Sequence, residues 1–248
     1  MNSPVTPPFE VLYEKGPCIC VQKRAGLLTQ APPGIDNLEL QVREFCKQRD
    51  GKTGKIYLAI IHRLDRPVSG AIVFCRNVRA AQRLSAQFRE RSVRKTYWAI
   101  VEGVVPEDSG AWTDHVRKIP DVAQGEVVAA GSDDARPAEL SYEVLARTST
   151  HSLLEIELGT GRYHQIRLQC ASRQFPILGD SLYGAQQAFG PIVDDPRQQH
   201  IALHARRLQF RHPMVEEQVD VVAPLSSAWL ENVAWQELAR QSSREIQP

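Results

Sequence analysis

The chain has 248 residues, of which 42% are hydrophobic and 24% charged, and its formal charge is +1. This length allows one large domain or two small ones, and the balance excludes a disordered, collagen-like or disulfide-scaffold chain. No stretch approaches the roughly 18 apolar residues of a membrane span. The opening MNSPVTPPFE lacks the basic-then-apolar run of a signal peptide, so a cytosolic protein is expected.

Residues 1–8 are Pro-rich and expected to be loose. Phe9 to Tyr13 and Cys18 to Gln22 read as short strands around Gly16-Pro17. Asn37 is a natural cap for a helix to about Arg49, with Leu38, Val42, Phe45 and Cys46 on one face. Ile56 to Ile61 is a buried-strand candidate, and HRLDRPVSG at 62–70 interrupts it with Pro and Gly. Ala71 to Cys75 is a further strand. Asn77 then caps a helix over about 78–90, with Ala81, Leu84 and Phe88 as its apolar stripe.

Lys95 to Val105 reads as a long strand, and 106–138 as an excursion or small hairpins. Glu139 to Ala146 and Ser152 to Leu158 look like a strand pair. The run 159–172 passes from a Gly turn into a helix, with His164 and Arg167 on one face. Residues 185–200 form a polar loop, and Arg206 to Phe210 and Gln218 to Val222 are strands. Ser226 to Arg240 reads as one amphipathic helix through Trp229, Leu230, Val233 and Leu238. Hairpin-clustered strands with few helices predict an α+β fold: a mixed, largely antiparallel central sheet with flanking helices and loops.

Charge is unevenly placed. Residues 62–97 carry nine basic residues against Asp65 and Glu90, a local balance of +7 that leaves −6 for the rest. Eight of the nine are Arg, the side chain that forks onto phosphate oxygens. On charge alone, phosphate or RNA binding competes with an ordinary solvated helix face. Arg79, Arg83 and Arg89 fall away from the apolar stripe of their helix.

Asp65 follows an apolar strand at a Pro- and Gly-bearing turn, between Arg63 and Arg66. Those neighbours favour an ionised carboxylate, which can serve as nucleophile, base or metal ligand. Arg167 is placed to pair with a carboxylate from another element, and Tyr97 is a core residue or a stacking surface. His200 and His204, like Cys18 and Cys20, lack a second pair at zinc-like spacing, so no metal is expected. Cys18, Cys20, Cys46, Cys75 and Cys170 are odd in number and dispersed, which predicts reduced, buried thiols. No phosphate-cradling Gly loop and no G-x-S-x-G element is present.

Taken in order, these segments resemble the RluA-type family of pseudouridine synthases. HRLDRPVSG at 62–70 is similar to the family's HRLD-x-x-TSG, and RKTYWAIVEG at 94–103 to its K-x-Y-x-A-x-V-x-G strand. GTGRYHQIRLQCAS and FPILGDSLYG resemble G-R-x-H-Q-I-R followed by HPI-x-GD-x-x-YG. LHARRLQFRHP at 203–213 and VQKRAGLL at 21–28 resemble two further motifs. Val68, Arg24 and Gln169 stand where the family commonly has Thr, Pro and His.

The resemblance implies a pseudouridine synthase fold with a central RNA-binding cleft, and cofactor-free isomerisation of uridines in ribosomal or transfer RNA. Asp65 would be the essential carboxylate, Tyr97 would stack on the target base, and Arg167 would pair with Asp65. Arg63 would enter the space left by a flipped nucleotide. His62, Arg66, Arg83, Arg89, Lys95, Arg162 and His164 would contact RNA. One catalytic domain over 9–240 is expected, with flexible ends at 1–8 and 241–248, no S4 domain, and a monomeric state. Two rivals fit the residues: a non-catalytic RNA-binding protein, and a carboxylate-dependent hydrolase with Asp180 as its second acid.

Overall fold

In the computed structural model, residues 6–241 are described. Of the loose ends expected at 1–8 and 241–248, residues 1–5 and 242–248 lie outside that range. In chain order the elements begin with β1 (Val11–Lys15), β2 (Cys18–Lys23), α1 (Leu38–Arg49), β3 (Ala59–Ile60), β4 (Ser69–Cys75) and α2 (Val78–Arg89). Next come β5 (Arg94–Glu102), β6 (Ser109–Lys118), β7 (Gly125–Val128), β8 (Arg136–Arg147), β9 (His151–Leu158) and α3 (Gln165–Ala171). The chain closes with β10 (Leu203–Arg211), β11 (Gln218–Val222), α4 (Ser227–Leu230) and α5 (Val233–Gln241). None of these helices is long and apolar enough to cross a membrane.

The chain forms two compact units. The first is the chain up to Arg94 together with Ala205–Ala223; the second is Lys95–His204 with the segment from Pro224 onward. In the first, the strand order is β1-β2-β4-β10, with β3 on β4 and β11 on β10. In the second it is β5-β9-β8-β6-β7. The pairs β1/β2, β2/β4, β3/β4, β10/β11, β5/β9, β8/β9, β6/β8 and β6/β7 are all antiparallel, which makes the expected α+β class correct.

Local sequence explains both long helices of the first unit. Asn37 and Asn77 each take an extended backbone and accept a hydrogen bond from the N–H three residues on, at 3.0 and 2.7 Å. This satisfies one of the orphan donors of a helix start. The buried face of α1 is Leu38, Val42, Phe45 and Cys46, as the spacing predicts. Ala80, Ala81 and Leu84 of α2 pack on Cys18, Cys20, Ala71, Val73 and Cys75 of β2 and β4, and on Leu208, Phe210, Val219 and Val221 of β10 and β11. All five cysteines are free and buried. In the second unit Trp229 meets Phe189 and Trp235, and Trp235 stacks on Trp98 at 5.8 Å.

Three expectations change, and a fourth resolves into one of its alternatives. Of Ile56–Ile61 only Ala59–Ile60 pairs as strand, because Lys55 and Tyr57 are exposed and the segment reaches β4 late. Of the alternatives at 106–138 the hairpin holds: the ten-residue strand β6 pairs with β7, although its inward residues Trp112 and Val116 are too sparse to announce a period of two. The tail is two helices: it breaks at Glu231–Asn232, and the Asn232 side chain accepts from Trp235 N–H at 3.2 Å. The break shifts the phase, leaving Leu230 and Val233 40% and 67% exposed while Trp235 turns inward. His164 lies outside α3, at its cap, with φ of 51°.

Candidate active site

The Asp65 turn belongs to the first unit and is pinned on both flanks. On one side the Thr29 hydroxyl accepts from Leu64 N–H at 3.2 Å and donates to the Leu64 carbonyl at 2.8 Å. On the other, the Arg66 carbonyl accepts from Gly26 N–H at 2.8 Å and from Lys23 Nζ at 3.1 Å. Arg66 Nε returns a bond to the Gly26 carbonyl at 2.9 Å. Within the turn, Val68 N–H donates to the Asp65 carbonyl at 3.1 Å. The half-buried carboxylate therefore stands on a backbone that is tied on both flanks.

The neighbours of Asp65 divide by task. His62 Nε2 accepts from Val73 N–H at 3.2 Å, and its ring stacks on Phe88 at 4.9 Å, so His62 ties the turn to β4 and α2. Arg63 is exposed. Gly70 explains the small residues after the turn: its φ is +120°, and a β-carbon there would lie 2.4 Å from the Ala205 carbonyl oxygen. On α2, Arg83 and Arg89 are exposed, and Arg83 Nη1 also donates to the Pro213 carbonyl at 2.9 Å.

The second unit carries Lys95, Tyr97, Arg162, His164 and Arg167. Tyr97 lies on β5 opposite Ile156 and is buried. Lys95 borders the Gly161 turn, where a β-carbon would meet its Nζ at 3.9 Å. Arg162 Nε donates to the Pro137 carbonyl at 2.9 Å. Arg167 is buried and engages Asp180 through two parallel bonds, Nε to Oδ2 at 2.6 Å and Nη2 to Oδ1 at 2.7 Å. Its guanidinium also lies 4.9 Å from the centre of the Tyr183 ring. Asp180, the second acid a hydrolase would need, thus has both oxygens bound to Arg167 and is 2% exposed.

His164 is neutral in this setting. Burial first and Arg167 second push its pKa down to about 3, against an opposing pull from Asp180. Its ring stacks on Tyr163 at 3.9 Å, and Nδ1 lies 2.7 Å from the Tyr183 hydroxyl. That hydroxyl accepts from Gly125 N–H at 2.9 Å, and burial raises its pKa to about 12. It therefore keeps its proton and donates to Nδ1, which leaves the imidazole proton on Nε2.

Beneath this layer is a polar network that the sequence reading misses. Gln165 Oε1 accepts from Thr160 Oγ1 at 2.7 Å and from Arg162 N–H at 3.0 Å. Gln165 Nε2 reaches the Glu139 carbonyl at 3.0 Å, and Gln169 Nε2 reaches Asp114 at 2.7 Å. Gln169 fills the place where the resemblance leads one to expect His. Among the described residues no three His, Cys, Asp or Glu side chains gather as a metal site.

A model of the family described as RNA pseudouridylate synthase matches residues 17–172, which include Asp65, Tyr97 and Arg167. The chain belongs to that family. Among curated relatives, it is 32% identical over 220 residues to an uncharacterized RNA pseudouridine synthase of Synechocystis sp., covering 88% of this chain and 66% of that protein. It is 34% identical to ribosomal large subunit pseudouridine synthase D of Xanthomonas campestris, with 88% and 66% covered. It is 31% identical to tRNA pseudouridine synthase C of Pasteurella multocida, with 90% and 94% covered. The chain thus spans just under two thirds of the first two relatives and nearly all of the third. The solved structure of human RNA pseudouridylate synthase domain containing 4 shares the fold, with a TM-score of 0.75 at 24% identity over 92% of this chain and 93% of that one.

Proposed function

We propose that this pseudouridine synthase family member isomerises specific uridines in ribosomal or transfer RNA, with Asp65 as the essential carboxylate. The observation that carries the reading is the doubly pinned Asp65 turn inside the segment that the family model matches. Breaking and remaking a bond at the ribose needs a charged group delivered without reorganisation, and a rigid turn supplies it. Tyr97 is assigned to stack on the target base, and Arg167 serves the same reaction. The target nucleotide leaves its stack at a cost of a few kcal/mol, which Arg63 offsets by filling the gap. Arg66, Lys95 and Arg162 are assigned to the RNA backbone, and His62 and His164 to ordering the segments that approach it. No cofactor is required by this scheme.

The test compares cellular RNA from a deletion strain and its parent, mapping pseudouridines by carbodiimide labelling and primer extension. A site lost in the deletion and restored by the wild-type gene is the expected result. An unchanged map, together with no product from purified protein on total RNA, would return the chain to an RNA-binding role.

The basic face of α2 gives a separate prediction. Arg83→Ala with Arg89→Ala should weaken RNA binding and lower the slope of log K against log salt by about one to two. Binding titrations from low to physiological salt read it, and an unchanged slope would make this an ordinary solvated face.

A further inference from the structure

Lys23 ends β2, opposite Gly70 of β4, and is completely buried. A buried ammonium is costly without partners, so the partners define its task. Its Nζ donates to three carbonyls: Arg24 at 3.0 Å, Leu27 at 2.6 Å and Arg66 at 3.1 Å. Three donors meet three acceptors, which uses the full capacity of the charged form. A neutral amine has only two N–H groups and would leave one carbonyl unserved. An apolar side chain of similar length would fill the space, so volume alone does not call for lysine. The farthest acceptor in sequence belongs to the residue that follows Asp65.

Electrostatics agree with this geometry. Burial pulls the ammonium down to about 7, Asp65 is the charge that most strongly opposes that fall, and Arg24 and Arg66 add to it. Through the acid range, where a carboxylate takes up its proton, Lys23 therefore carries its charge. The coupling is reciprocal: an anion that favours the ammonium is favoured by it.

We infer that Lys23 is a positioning residue for Asp65, bracing the turn through the Arg66 carbonyl and keeping the neighbouring carboxylate ionised. The decisive experiment is a carboxyl-carbon NMR titration of Asp65 in the full chain without RNA, comparing wild type with Lys23→Met and Lys23→Gln. Removal of the charge should raise the Asp65 midpoint by about one pH unit in both variants. Should Lys23→Met fail to fold by circular dichroism, Lys23→Gln, which keeps an amide donor without the charge, decides the matter.

A kinetic arm rests on the uridine-isomerising reading. Single-turnover rate on RNA should fall mainly at acid pH, with the acid limb of the profile moved upward by about one unit and Kd within about twofold. An unmoved midpoint overturns the inference even if rate is lost, because a purely structural lysine would have that effect. Wild-type protein inactive on RNA would sink the proposed reaction, while the titration would still decide the role of Lys23.

Discussion

Asp65→Asn is expected to abolish pseudouridine formation while leaving RNA affinity within about twofold. The substitution keeps the shape of the side chain and removes its charge. The turn that carries it is held by Thr29, Gly26 and Lys23 through the backbone of Leu64 and Arg66, so the fold should survive the change, although Lys23 loses the anion that favours its charged form. On the proposed reading binding rests on cations and stacking surfaces elsewhere, so the loss should fall on the chemical step. Single-turnover assays should show a drop of about four orders of magnitude or more, the scale seen when an essential group is removed. Filter binding on the same RNA should overlay the wild type. Comparable activity in the variant would remove Asp65 from the mechanism, and a matching loss of affinity would recast it as a binding residue.

Asp180→Asn should cause the largest loss of stability of any single change at the site. Arg167 and Asp180 are 5% and 2% exposed at their side chains and share two short parallel bonds. Neutralising the acid strands a guanidinium in the interior, at a cost of about 3–5 kcal/mol. Urea denaturation reads the effect directly. Arg167→Met combined with Asp180→Leu should cost less than the sum of the two single changes, since an apolar pair leaves no buried charge uncompensated. If Asp180→Asn unfolds within about 1 kcal/mol of the wild type, water or another group has taken over the guanidinium, and the pair contributes little to stability.

What the sequence discloses here is mainly what is local. The caps at Asn37 and Asn77 are readable because an Asx side chain bonds only three residues ahead. The Asp65 turn is readable because Pro, Gly and flanking apolar strands announce it. The buried network around α3 is not, because Gln165 and Gln169 find partners at Glu139 and Asp114, far away in sequence. Those glutamines look like the polar face of an ordinary surface helix, yet both are buried. Lys23 misleads in the same way: a lysine at a strand end reads as solvated until the three carbonyls around it are known. The Arg167–Asp180 pair is not legible in the sequence: the resemblance assigns Arg167 to Asp65, and Asp180, thirteen residues on, reads only as the second acid of a rival hydrolase.

The chain order of the two units has a consequence for biosynthesis. The first unit is built from its opening residues up to Arg94 and from Ala205–Ala223, with the whole of Lys95–His204 between them. Leu208, Phe210, Val219 and Val221 belong to the core on which α2 rests, so that core stays incomplete until they leave the ribosome. At about 5–20 residues per second, the nascent Asp65 turn spends about 8–30 seconds on an unfinished support. During that interval β2 and β4 can pair, but the side of β4 that β10 covers is open. An exposed strand edge of this kind is a target for holdase chaperones and for pairing with a neighbouring nascent chain on the same message. Fragments ending near residue 94 should for that reason aggregate on expression, whereas the full chain closes the edge from within its own sequence.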